Sequence, residues 1–172
     1  MTFSVVDASS HPAQWAMAQY FQELDTRFTD GFDSGTAFDE AAAGLNPPNG
    51  AFVIATYGND LVGCGGIQFL DAERAEIKRM WVNPQRRGLG LGKRLLAHLE
   101  REIHASGRSI VVLDTNESLA EAIAMYRSCG YEPIDRYNDN PYAQLWFAKQ
   151  LRPADGAGDD RSPTSNTSCC RE

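Results

Sequence analysis

Between Gln85 and Leu96 the chain reads Gln-Arg-Arg-Gly-Leu-Gly-Leu-Gly-Lys-Arg-Leu-Leu, with glycine at every second position from Gly88 to Gly92. Alternating glycines strip side chains from a turn, so several backbone N–H groups can converge on one anion. The amphipathic stretch that follows begins a helix at the same place, and its macrodipole adds about half a positive charge there. Arg86, Arg87 and Lys93 surround the turn with mobile charge. The combination suits a phosphorylated cofactor. A nucleoside-triphosphate loop places four residues between its glycines and a Ser or Thr after its lysine. Here the glycines alternate and Lys93 precedes Arg94. A dinucleotide fingerprint reads G-x-G-x-x-G near the start of its domain, whereas this run reads G-x-G-x-G at mid-chain. Neither nucleotide loop matches.

Other reactive side chains are sparse. His11, His98 and His104 are scattered, and the last two fall on different faces of one helix, so no metal site is expected. Cys64 and Cys129 lie in apolar settings and read as inert buried thiols. Cys169 and Cys170 are adjacent in a polar tail, where they staple no core; a reducing, cytoplasmic setting is expected.

The elements that must position the glycine turn can be read from periodicity. Thr2–Ala8 alternates as a first strand, and Ser9 or Ser10 caps a helix with Pro12 in its first turn. In that helix Trp15, Ala18, Phe21, Leu24 and Phe28 mark one buried face. A short helix near Phe38–Ala43 follows. Ala51–Tyr57 and Leu61–Leu70 form a hairpin, and Ala75–Val82 is the next strand. Leu91, Leu95, Leu99 and Ile103 then share a helical face that ends at Gly107. Ile110–Leu113 reads as a central strand. Leu119, Ile123 and Tyr126 mark another helix, capped at Gly130, and Tyr131–Ile134 and Ala143–Leu151 make a last strand pair. The class is mixed α/β, one domain over residues 1–152, with a polar tail from 153 to 172 that is expected to be disordered.

At 172 residues the chain is long enough for one well-buried core. No run approaches the ~20 apolar residues that span a bilayer, and the N-terminus lacks a signal-peptide pattern. A net charge of −7 argues against nucleic acid and is compatible with a cationic amine partner. Neither membrane nor nucleic acid is an expected partner.

With this order and the glycine run together, the chain resembles the GNAT superfamily of coenzyme-A-dependent N-acetyltransferases over roughly Thr2–Leu151. The pyrophosphate motif Q/R-x-x-G-x-G/A is met twice, by Gln85, Gly88, Gly90 and by Arg87, Gly90, Gly92. Glu-Ile-Lys-Arg-Met-Trp-Val-Asn-Pro before it and Met-Tyr-Arg-Ser-Cys-Gly-Tyr after it (Glu76–Pro84 and Met125–Tyr131) extend the match. The resemblance implies a strongly bent mixed sheet, splayed to admit pantetheine, with acetyl-CoA as donor and an amine as acceptor, in a monomer or homodimer. It implies cofactor binding by Met80, Trp81 and Val82 on the strand and by Arg87, Gly88, Leu89, Gly90, Leu91, Gly92 and Lys93 in the loop. Main-chain groups at Met80 and Val82 would meet the pantetheine amides, and one N–H would polarise the thioester carbonyl. Tyr126 matches the helix tyrosine beside the sulfur, a general acid for the departing thiolate; its spacing also fits a packed core tyrosine. The asparagine many members carry seven residues earlier is Leu119 here, and Asn116 is the nearest substitute contact for coenzyme A.

An alkylamine with pKa near 10.4 is about one part in a thousand neutral at pH 7, a handicap of about 4–5 kcal/mol. Glu76 is the candidate base, since strict alternation puts it on one face with Lys78, Met80 and Val82. A Glu76–Lys78 ion pair is the structural alternative, with water relaying the proton. Phe28, Phe32, Trp81, Tyr137 and Tyr142 are candidate pocket walls, and Asp33, Asp135 and Asp139 candidate ammonium partners. A small primary amine is the leading acceptor. A protein N-terminus or lysine, and a non-catalytic acyl-CoA sensor, are the alternatives.

Overall fold

The computed structural model describes residues 1–152; the expected disorder of 153–172 lies outside the described residues. The order is β1 (Thr2–Val6), α1 (His11–Arg27), α2 (Ala37–Gly44), β2 (Gly50–Tyr57), β3 (Asp60–Phe69) and β4 (Arg74–Val82). A 3₁₀ turn (Pro84–Arg86) leads into α3 (Leu91–Ala105), β5 (Ile110–Thr115), α4 (Ala120–Ser128), β6 (Glu132–Pro133) and β7 (Leu145–Gln150). The strands form one sheet ordered β1-β2-β3-β4-β5-β7-β6. Neighbours are antiparallel except β4 and β5, which the crossover through α3 makes parallel.

That parallel joint is where the sheet opens. β4 and β5 pair only from Arg74↔Ile110 to Glu76↔Val112. Beyond Glu76 the β5-facing edge of β4 has no strand partner among the described residues, and the sheet parts into a cleft. A bulge lies beside it. On the β3 side the register jumps from Gly66↔Lys78 to Cys64↔Trp81, so Arg79 and Met80 stand against Gly65. Arg79 takes φ +54° there, which is uncommon for a bulky side chain.

One extra residue reverses the alternation of side chains. Ala75 and Ile77 join Leu95, Leu99 and Ile103 under α3, and after the bulge Met80 and Val82 pack on that same cluster. Trp81 turns instead to the α1 side, with Met17, Phe21 and Phe52. The expected common face is therefore corrected: Glu76 and Lys78 lie opposite Met80 and Val82.

The face of α1 is corrected as well. Ala13, Ala16, Met17, Phe21 and Leu24 are buried, while Trp15 is 42% exposed and Ala18, expected on the same face, is exposed too. Small residues let the helix approach the sheet closely, so alanines rather than tryptophan mark the contact. Phe28 is the C-cap of α1, placed to face the cleft. In α3, by contrast, Leu95, Leu99 and Ile103 of the expected stripe are buried with Leu96 added, while Leu91, at the helix start, is half-buried.

Candidate active site

Two cavities flank the free edge of β4. The smaller, of about 330 Å³, runs from Met80–Val82 to the glycine turn and the start of α3. Gly88 and Gly90 take φ of +81° and +73°, and a Cβ at either would meet nothing within 4 Å, so the backbone there is bare. Gly90 is the N-cap of α3, with no side-chain cap and no acidic residue in the first turn. The first N–H groups of the helix are thus left for a ligand, in an electropositive setting. Arg87 is steered over this turn by Nε, which donates to Val82 O (3.0 Å), and by Nη2, which pairs with Glu23 at 2.5 Å. An anion cradle at one end and an apolar trough along Met80 and Val82 fit a pyrophosphate and a pantetheine arm.

Of the cofactor contacts expected, Met80, Trp81, Val82, Arg87, Gly88, Gly90, Leu91, Gly92, Lys93 and Tyr126 all line this cavity. Leu89 does not; its side chain is 70% exposed. Asn116 lies on the other cavity, where its Nδ2 donates to Tyr142 O (2.8 Å) and its Oδ1 accepts from Ser118 N–H (2.9 Å).

The larger cavity, of about 530 Å³, lies between the α1–α2 connection, the β4 bulge, the end of β5 and residues 138–143. Phe28, Phe32 and Tyr142 form one aromatic wall, with centroids 4.7 to 6.1 Å apart. Asp33 lines it, whereas Asp135 and Asp139 do not. Two expected walls are elsewhere. Trp81 is held in the smaller cavity by its Nε1, which donates to Glu23 (3.1 Å). Tyr137 is drawn out of both cavities by its hydroxyl, which donates to Glu76 (2.9 Å).

Glu76 is 3% exposed and lines neither cavity. Its carboxylate accepts from Lys78 Nζ (2.8 Å), the Tyr137 hydroxyl and Asn138 Nδ2 (3.2 Å). Asn138 and Asn140 also donate to Asp114 on β5, so two carboxylates pin the last loop across the cleft. Glu76→Gln would set an amide N–H₂ against the Lys78 ammonium while keeping the other two bonds. It is expected to cost about 1–3 kcal/mol of stability, read as a lower urea midpoint at unchanged slope.

The cavities meet at Tyr20, Leu24, Met80, Leu119, Ala122 and Tyr126. Tyr126 is 7% exposed, packs against Tyr131 and Phe147, and directs its hydroxyl at Met80 Sδ (4.0 Å). Burial, reinforced by the Asp114 charge, pushes its phenol well above the usual range, so it stays protonated. Burial does the same to Tyr20 and pushes the Cys64 thiol up to about 12, consistent with an inert cysteine. Leu119 is the N-cap of α4 and part of this junction. Tyr20, Glu23, Arg79, Asp114, Asn138 and Asn140 escaped the sequence reading. Only the Asn-Asp-Asn run of the last loop carried a signal, a concentration of amides able to fix a turn.

Residues 14–131 match the model of the acetyltransferase (GNAT) family. The IAA acetyltransferase of Azospirillum brasilense is 36% identical over 153 residues, covering 86% of this chain and 99% of that protein. The N-alpha-acetyltransferase RimI of Mycobacterium tuberculosis is 31% identical over 124 residues, covering 69% and 75%. A GNAT acetyltransferase from Elizabethkingia anophelis, solved with acetyl-CoA bound, superposes with a TM-score of 0.66 at 18% identity, over 87% of this chain and 97% of that one. Among the described residues no helix is long and apolar enough to cross a membrane. The chain belongs to the GNAT acetyltransferase family, and it is an acyltransferase whose acyl donor is acetyl-CoA.

Proposed function

We propose that the protein transfers the acetyl group to the primary amine of a small molecule by direct attack, with donor and acceptor bound together. The observation that carries this is the meeting of the two cavities at Met80 and Tyr126, with the anion cradle closing the far end of one of them. Bound acetyl-CoA supplies an electrophilic thioester carbonyl and a thiol leaving group. The glycine turn and the first N–H groups of α3 hold its pyrophosphate, with Arg87 and Lys93 adding charge. The unpaired edge of β4 offers main-chain groups at Met80 and Val82, one of whose N–H groups polarises the carbonyl.

Tyr126 is the catalytic acid in this reading, placed at the junction with its proton retained. Glu76 acts as a positioning residue for the last loop, and water carries away the amine proton. The amine's own ionisation then sets the pH response. Below the amine pKa, kcat/KM rises close to tenfold per pH unit, because only the neutral amine attacks.

A cavity of about 530 Å³ is the size of a small-molecule site, which favours a small acceptor over a polypeptide. The mycobacterial relative's N-alpha-acetyltransferase name supports a peptide N-terminus as the second reading. Thiol release from acetyl-CoA across a panel of amines, amino acids and peptides tests both. Turnover confined to small amines is expected. Turnover confined to peptides would reverse the acceptor class, and binding of acetyl-CoA without any turnover would make the protein a sensor.

A further inference from the structure

We infer that the larger cavity receives its acceptor through a carboxylate held by Arg79, so that the substrate is an amino acid, or another amine-bearing carboxylic acid, with an apolar or aromatic side chain. This deepens the acyl-transfer reading and rests on it.

The argument begins with a charge that the protein leaves poorly matched. Arg79 lines the larger cavity with its side chain only 11% exposed. Its guanidinium offers five N–H donors, yet its one hydrogen bond among the described residues runs from Nη2 to Ala37 O (2.9 Å). Its Nε is buried with no partner among them. Its guanidinium carbon lies 5.5 Å from the centroid of the Phe21 ring, and among the described residues the only carboxylate paired with it, Glu40, stands 3.9 Å away and is 68% exposed. A contact that long to a solvated group does little for a buried cation, and an unmatched buried charge is costly. Burial accordingly pulls the Arg79 pKa downward.

The backbone adds to this cost. Arg79 occupies the bulge at φ +54°, a conformation that persists for a non-glycine residue only where the surroundings impose it. The bulge brings Arg79 into the lining of the larger cavity, next in sequence to Met80, which lines both. A planar fork in such a place matches a carboxylate in two-point contact.

The other groups of the cavity agree with that ligand. The carboxylates that face it are occupied or outward: Asp114 accepts from Asn138 and Asn140, Asp33 from the Gly35 N–H, and Glu40 from the Thr36 hydroxyl. Lys78, which also lines it, is paired to Glu76. Arg79 is thus the buried cation with capacity left. Phe28, Phe32 and Tyr142, which line the same cavity, supply the apolar wall for the remainder of the molecule.

The test measures binding of the reaction product, so it stands apart from turnover. The protein loaded with coenzyme A is titrated calorimetrically with N-acetylphenylalanine and with N-acetylphenylalaninamide, which differ only in the carboxylate. The acid is expected to bind at least tenfold more tightly, and Arg79→Gln to abolish that preference. Folding of the variant is checked by its thermal stabilisation with coenzyme A. Lys78→Gln is expected to keep the preference. Equal binding of acid and amide, absence of binding by both, or loss of the preference in the Lys78 variant instead would each overturn the inference. Preference for the acid without thiol release from any amine would leave the carboxylate site standing and remove the acyl-transfer reading.

Discussion

Tyr126→Phe is expected to lower kcat by about 10²–10³-fold while leaving acetyl-CoA affinity within about twofold. The substitution removes one hydroxyl, whose only hydrogen-bond partner among the described residues is Met80 Sδ at 4.0 Å. The ring contacts with Tyr131 and Phe147 remain, so the fold should lose less than about 1 kcal/mol. The catalytic loss corresponds to about 3–4 kcal/mol of transition-state stabilisation, spent on protonating the departing thiolate. Because the phenol pKa is raised, the acid form is present at every pH below that value, and activity is lost only above it. No falling limb from Tyr126 is expected between pH 7 and 9.5. The rising limb belongs to the amine and should be the same in both proteins. Steady-state kinetics over that range, with acetyl-CoA binding measured directly, checks this. Equal loss of turnover and affinity would make Tyr126 a packing residue.

The cradle was legible because it is built from backbone: glycine spacing and a helix start are properties of local sequence. The same holds for α3, where leucines at helical spacing face one side of the sheet. The bulge in β4 was not legible. No glycine or proline marks Arg79 in its own strand, and its left-handed backbone lies at the register shift between β3 and β4, which shows only once the two strands are paired. From that one residue came the misplacement of Glu76 relative to Met80 and Val82, since alternation reverses across it. The acceptor side was also read incompletely, for a related reason. Tyr137 was expected to line a pocket by its type, whereas its position is decided by a carboxylate 61 residues away. Glu23 sits on α1 with no periodic signature, yet it holds both Trp81 and Arg87. Residues whose partners are distant in sequence announce nothing by spacing.

Gly90→Val is the substitution expected to affect the donor side most. Gly90 has φ +73°, and a β-branched residue there is strained by about 1–2 kcal/mol. The space around its Cβ is open, so no clash forces unfolding, and α3 stays anchored through Leu95, Leu96, Leu99 and Ile103. The strain is relieved where resistance is least, by rotation of the turn, which swings the first N–H groups of α3 off their common focus. Affinity for acetyl-CoA is expected to fall by about 100-fold, or about 2.7 kcal/mol, with Tm lower by about 2–8 °C. At saturating acetyl-CoA, kcat should remain within about threefold, because the reacting groups lie at the other end of the cavity, by Tyr126 and Met80. Leu89→Ala, one residue earlier but with an exposed side chain, should leave all three quantities near their original values. A comparable affinity loss in both variants would show that general disturbance of the loop, rather than the backbone geometry at Gly90, weakens binding; loss confined to Gly90→Val places the pyrophosphate on the bare backbone at the start of α3.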